Sequence, residues 1–208
     1  MIFFKVNDKF LNTSIIFVNS AIQGKKIINI EELHLNLLVD EKMNVKLINL
    51  FTNNLITNKK NYSILQEDQI NDIIQKILKY EPNLIFHTKE TYALGKIVQR
   101  NKHPKSDKLA ILKVDFKNFE KQIITNTTYS LENMYFLFAL EGFITFNAEE
   151  IKESKVLDNI SQGMILSSKS LNLSIENDEL TKILNDEKIV NKYWGNNIKK
   201  LLNDLQEI

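Results

Sequence analysis

Apolar and polar residues alternate with period two along Val45-Lys46-Leu47-Ile48-Asn49-Leu50, the pattern of a half-buried strand. Residues 14–18, 26–30 and 35–38 are further short strand candidates. The period then lengthens: Ile70, Ile73, Ile74, Ile77 and Leu78 recur at helical spacing and predict a helix over residues 67–80. Glu67 and Asp68 fall in its first turn, and Glu81-Pro82 ends it. Asn53-Asn54 and residues 58–61 are turn-like. Past residues 87–92 strand-like segments dominate, at 93–99, 109–116, 121–125 and 134–140, with breaks at 101–107 and 125–132. From about Asp178 the pattern is helical again, with Leu180, Ile183 and Leu184 on one face and Ile198, Leu201, Leu202 and Leu205 on another. This predicts a small α+β N-terminal domain over residues 1–90, an all-β domain over 91–175, and a C-terminal helical extension over 176–208. The several short strands of the middle part suit a sandwich or a small barrel.

Composition narrows the chemistry. The 208 residues carry 27 basic and 26 acidic side chains, so a net charge of +1 leaves no global basic field, and any electrostatic footprint is local. There is no Cys, which removes disulfides, thiolate metal sites and cysteine nucleophiles together. Five glycines leave no room for a phosphate-binding glycine loop. The apolar start is too short for a signal segment and Lys5 interrupts it; no apolar run approaches the roughly 20 residues that span a bilayer. These readings place the chain in the cytoplasm, without a membrane contact, cofactor, metal or catalytic constellation. Glu149-Glu150 and the Asp68/Asp72 pair read as solvated surface, and Trp194 as an anchor for the C-terminal helices.

Charge gathers in one stretch. Residues 96–121 hold Lys96, Arg100, Lys102, Lys105, Lys108, Lys113, Lys117 and Lys121 against Asp107, Asp115 and Glu120, a local excess of five positive charges. Such a patch suits phosphate contacts. It equally suits a solvated strand-turn-strand surface in a lysine-rich protein, and charge alone does not choose. Arg100 is the single arginine, so contacts would be mostly lysine point charges rather than bidentate forks.

Motifs in a fixed order make the choice. They are Gly95-Lys96-Ile97-Val98, then His103-Pro104-Lys105-Ser106-Asp107-Lys108-Leu109, Lys113-Val114-Asp115, Ala139 with Gly142, and Ser161-Gln162-Gly163-Met164-Ile165-Leu166-Ser167 followed by Lys169 and Leu171. Residues 92–173 thereby resemble the tRNA-binding OB-fold module of the bacterial tRNA-binding protein, EMAP II and several aminoacyl-tRNA synthetase appendages. With its short first half, the layout is similar to that of YtpR-type tRNA-binding proteins. The resemblance implies an α+β N-terminal domain followed by an all-β OB-fold barrel with a C-terminal helical extension, gripping folded tRNA by shape and phosphates. The chain departs from the family at Thr125-Asn126-Thr127-Thr128-Tyr129, where many members carry Cys-Gly-Ala-Pro-Asn, and at Leu157-Asp158, where they carry Arg-Gly.

The RNA-binding candidates are Lys96, Arg100, Lys102, His103, Lys105, Lys108, Asn126, Tyr129, Ser161, Met164, Ser167 and Lys169. Asn126 is expected to take the left-handed conformation that the family glycine supplies. Tyr129 is expected to stack on a base. His103 is read as a turn residue, with Asp107 accepting backbone amides in the turn. Gly163 is expected to let the strand approach an RNA backbone, and Ser161 and Ser167 to donate to phosphate or 2′-hydroxyl. By strand alternation one of Met164 and Ile165 faces outward and the other inward; Met164 is taken as the outward one. The N-terminal domain, with nearly balanced charge, is not expected to supply RNA affinity. Implied partners are tRNA and, in the alternative reading of a protein-interaction module, an aminoacyl-tRNA synthetase or a second copy in a homodimer.

Overall fold

The computed structural model describes residues 1–6, 10–56 and 60–207. It divides into two compact units, Met1–Lys89 and Glu90–Ile208.

In the first unit, β1 (Ile2–Lys5), β2 (Ser14–Phe17), β3 (Lys26–Ile30), β4 (Leu35–Val39), β5 (Val45–Leu50) and β6 (Tyr62–Ile64) form a six-stranded sheet in the order β3-β4-β5-β2-β1-β6. Every pairing is antiparallel. The cross-strand row Ile28, Leu37, Ile48, Ile16 and Phe3 is buried, in one core with Ile70, Ile73 and Ile77 of the helix α1 (Glu67–Leu78). Reciprocal bonds between the Gln66 and Gln69 side chains and each other's backbone amides cap α1 at its start. The Tyr80 and Glu81 amides both close on the Ile77 carbonyl, so the helix tightens and ends two residues before the expected Tyr80. The turn anticipated at residues 58–61 falls partly outside the described residues.

The second unit is built on β7 (Tyr92–His103), β8 (Ser106–Asp115), β9 (Glu120–Thr125), β10 (Tyr135–Ala139) and β13 (Met164–Ile165), in the order β13-β10-β7-β8-β9, with a ribbon of β11 (Ser154–Val156) and β12 (Asn159–Ser161). All pairs are antiparallel and the arrangement is OB-like. The outer edge of β9 is closed by the chain around Gln162, whose amide donates to the Gln122 carbonyl at 2.9 Å, while Ser161 Oγ accepts from the Ile124 amide at 3.1 Å. These bonds occupy a strand edge that would otherwise be open to foreign pairing. Ile97, Ala110, Leu112, Val114, Phe116, Ile123, Phe136, Phe138 and Ile165 form the core. Gly95 makes room for it: a Cβ there would lie 2.5 Å from Val114 Cγ1 and 2.7 Å from Phe116 Cε1.

Three helices complete the unit: α2 (Asn177–Leu184), α3 (Glu187–Tyr193) and α4 (Lys199–Glu207). Side-chain hydrogen bonds tie them to the sheet. The Asn185 carboxamide donates to the Tyr135 carbonyl at 2.9 Å and accepts from the Tyr135 amide at 2.8 Å, doing for β10 what a neighbouring strand would do. Trp194 Nε1 donates to the Asp115 carbonyl at 3.1 Å, and its ring meets Tyr135 edge-on at 5.6 Å. Gln206 Nε2 donates to the Leu171 carbonyl at 3.0 Å. No helix among the described residues is long and apolar enough to cross a membrane.

Asn185→Ala would strip both partners from the Tyr135 peptide. Left unsatisfied, these groups cost about 1–3 kcal/mol each when buried. Urea denaturation should show a loss of at least about 1 kcal/mol, whereas substitution of the neighbouring exposed Glu187 by Ala should cost little.

Candidate nucleic-acid interface

The hairpin of β7 and β8 is tighter than its sequence implies. The break expected over 101–107 is a connection of two residues, Pro104-Lys105, because β7 runs on to His103 and β8 restarts at Ser106. The register jumps from Lys102↔Ala110 to His103↔Ser106, so Asp107, Lys108 and Leu109 bulge out from the ladder, the first two exposed. A second irregularity lies between Ile97 and Gln99, where Val98 and Gln99 are both exposed. Beyond it, two cross-strand rows share the outer face: Gln99, Lys113 and Gln122, and Asn101, Ile111 and Ile124.

The turn is latched from beneath by the β11–β12 ribbon. His103 is only 2% exposed; its Nδ1 accepts from the Lys105 amide at 3.1 Å, and its Nε2 meets the Asn159 carboxamide at 3.1 Å. Its expected RNA contact is therefore corrected: the ring is a structural pin. Asp158, at the ribbon tip, pairs with Lys105 and lies 3.5 Å from Lys155. Asp107 does not accept turn amides as anticipated; it pairs with Lys102 at 2.5 Å, and the Ser106 hydroxyl accepts from the Lys108 amide instead.

The other candidates divide by what their side chains are already doing. Arg100 clamps the loop after β9: its guanidinium donates to the Thr127 carbonyl at 3.1 Å and its backbone amide donates to Glu132 at 2.7 Å. Thr125, Thr127 and Ser130 join hydroxyls within the same loop. Asn126 is exposed but does not have positive φ; Asn133 (φ 65) is the left-handed residue of this connection, which corrects the expected turn. Tyr129 is 40% exposed and leans on Phe136, ring centroids 5.9 Å apart. Partial burial, and secondarily the charge of Asp178, raise its phenol above the ordinary tyrosine value, so it is neutral at physiological pH. Lys96 lies 6.0 Å above the Tyr135 ring.

In the Ser-x-Gly-Met segment, Ser161 is buried and its hydroxyl is spent, accepting from Ile124 and donating to the Gly163 carbonyl at 3.2 Å. Gly163 lacks a Cβ for an internal reason: one would lie 2.4 Å from the Ala139 carbonyl oxygen. Both corrections follow from barrel closure, which uses this segment as its seam. Ser167 exchanges hydrogen bonds with Ser170 and braces a 3-10 turn, while Lys169 in that turn is exposed. Met164 is partly exposed and Ile165 is buried.

The outer face holds a shallow depression of about 310 Å³, lined by the amides of Gln99, Asn101, Gln122 and Gln162, by Ile111, and by Lys113, Lys121 and the carboxylate of Glu120. Sequence reading missed its amides. The signal available was alternation, since Gln99 and Asn101 are two apart on one strand, but the irregularity at Val98 hid their shared face. Lys113 pairs with Glu120 at 2.9 Å; Lys108 and Lys121 form no ion pair among the described residues.

Residues 93–192 match the family model described as a putative tRNA binding domain. The chain is 35% identical over 78 residues to the phenylalanine--tRNA ligase beta subunit of Wolinella succinogenes, covering 38% of the chain and 10% of that subunit. It is 31% identical over 105 residues to the corresponding subunit of Fusobacterium nucleatum, covering 50% and 13%. It thus spans only about a tenth to an eighth of these relatives. A MetRS related protein from Pyrococcus horikoshii aligns over 36% of the chain and 66% of its own, at 26% identity and a TM-score of 0.30.

The two faces of β13 should respond differently to truncation. Ile165→Ala is expected to destabilise the fold by about 2–5 kcal/mol, and Met164→Ala by less than half as much. Equal losses in thermal or urea melts would mean that Met164 is as much a part of the core as Ile165.

Proposed function

We propose, from the premise that residues 93–192 belong to the tRNA-binding domain family, that this chain is a non-catalytic tRNA-binding protein of the translation apparatus in the cytoplasm. It docks folded tRNA on the outer face of β7, β8 and β9 and on the adjoining turn. The observation that carries this reading is the gathering of Lys102, Lys105, Lys108, Lys113 and Lys121 on one hairpin and its neighbouring strand, where Lys113 and Lys121 line an open depression. Lysines on a twisted sheet track phosphates without reading sequence, which suits recognition by shape. Tyr129, Asn126, Met164 and Lys169 would extend the contact, and Arg100, His103, Ser161 and Ser167 would support it from within. The RNA-docking module is the OB-fold of the second unit, and the α+β first unit adds no affinity. Because the relatives named above are subunits of a tRNA ligase, an aminoacyl-tRNA synthetase is the class of enzyme that such a module would serve, by raising the local concentration of tRNA.

Docking must compete with the carboxylates of Asp107, Glu120 and Asp158, which already hold Lys102, Lys113 and Lys105. Binding to total tRNA in gel shifts should be weak to moderate. With about three to five phosphates engaged, log K should fall with log salt at a slope of about −2 to −4. Lys108→Glu with Lys121→Glu should weaken binding at least about tenfold at low salt. Binding that ignores both salt and these charges would reject the proposed face.

Asp158→Asn should act in the opposite direction. Releasing Lys105 from an exposed ion pair is worth at most about 1 kcal/mol, so affinity should rise about two- to fivefold. A fall in affinity would show that the latch serves binding by holding the turn in place.

A further inference from the structure

The depression on the β7–β8–β9 face is built unevenly, and the unevenness says what fits it. One wall is fixed. Gln122 Nε2 donates to the Ile160 carbonyl at 2.8 Å, Gln162 Oε1 accepts from the Gln122 amide at 3.2 Å, and Gln162 Nε2 donates to Glu153 at 2.9 Å. The opposite wall is uncommitted. The carboxamides of Gln99 and Asn101 have no intramolecular partner among the described residues, and both residues are exposed on the same face of β7. Two residues apart on a strand, they are separated by about 7 Å, which suits the edge of one planar heterocycle. Between the walls lie Ile111, partly exposed and apolar, and Lys113, whose strand position is directly between Gln99 and Gln122. Lys121 also lines the depression, as does Glu120, which pairs with Lys113 at 2.9 Å.

These parts have separate chemical uses. An apolar floor takes the flat face of a ring, and free carboxamides offer donors and acceptors to its polar edge. Lys121, and Lys113 in competition with Glu120, suit the phosphates on either side. A base already paired in a helix has its edge occupied, so the site selects an unpaired one. Every nucleobase presents a donor and an acceptor side by side, and a carboxamide that can rotate matches any of them. The site therefore reads the presence of a base rather than its identity.

We infer that this depression is a subsite for one unpaired nucleobase of the bound RNA, lying on Ile111 and hydrogen-bonded at its edge by Gln99 and Asn101. The inference rests on the reading that this face docks tRNA, and it adds a contact that phosphates and shape do not provide.

The test keeps charge constant and removes the base. A single-stranded RNA hexamer and an abasic hexamer with the same ribose-phosphate backbone are titrated against the full chain and against the Gln99→Thr/Asn101→Thr and Gln99→Ala/Asn101→Ala variants. The threonine pair retains strand propensity, and melting temperatures verify that each variant is folded. Two hydrogen bonds give an expected preference of the unaltered chain for the base-bearing hexamer of about 5- to 100-fold. Both double variants should lose most of that preference. No preference in the unaltered chain, or a preference that survives in folded variants, overturns the subsite. If folded tRNA still binds with a steep salt response, the docking reading stands and the subsite alone falls; if tRNA does not bind either, both fall.

Discussion

Closure of the second unit at the outer edge of β9 organises nearly everything on its surface. The Gln162 amide and the Ser161 hydroxyl satisfy that edge, and an exposed strand edge left open would be a template for aggregation. The seam fixes the direction of the preceding ribbon, so that Asn159 reaches the buried His103 ring and Asp158 reaches Lys105. It also draws Gln122 and Gln162 into the rigid wall of the depression. Backbone pairing at one seam thus positions a turn, an ion pair and a concave surface in sequence segments some fifty residues apart.

That arrangement explains what could be read from the chain and what could not. Periodicity marked β5 and α1 because each buries one face against a single core, and both appear within two residues of the expected bounds. It passed over β1 and β6. Tyr62, Ser63 and Ile64 are all buried, so a three-residue strand shows no alternation at all. At the candidate site, local reasoning gave several side chains the wrong direction. Polar residues such as His103 and Ser161 look solvent-directed when only near neighbours are considered. Their partners are Asn159 and Ile124, 56 and 37 positions away, and no local pattern encodes those pairings. The amides of Gln99 and Asn101 escaped for the converse reason: unbroken alternation from the buried Ile97 would have turned both inward, and the bulge at Val98 turns them out.

The ribbon tip shows a local conflict accepted for a tertiary gain. Leu157 (φ 44) and Asp158 (φ 73) are both left-handed, which is the geometry of a two-residue primed turn joining twisted strands. Aspartate tolerates it; leucine does so at a cost of about 1–2 kcal/mol. With this geometry Asp158 stands between Lys105 and Lys155. The negative charge that stands where the family pattern has glycine thus neutralises Lys105 and Lys155 from within the fold. The turn is held in one conformation, at the expense of the field it presents to phosphate.

The single arginine follows the same logic. On a phosphate-binding surface a guanidinium is the strongest available contact, because its planar fork bonds in pairs. Here Arg100 points to the Thr127 carbonyl, and its backbone amide holds Glu132. The chain therefore spends its most directional cation on fixing the loop that carries Asn126 and Tyr129, and leaves the outer face to lysines. Exposed lysines already paired with carboxylates gain little net energy from any one new anion. Affinity on such a face comes from several weak, screened contacts acting together, and geometric selectivity comes from the preformed loop and depression rather than from charge. A surface of this kind releases an anionic ligand readily.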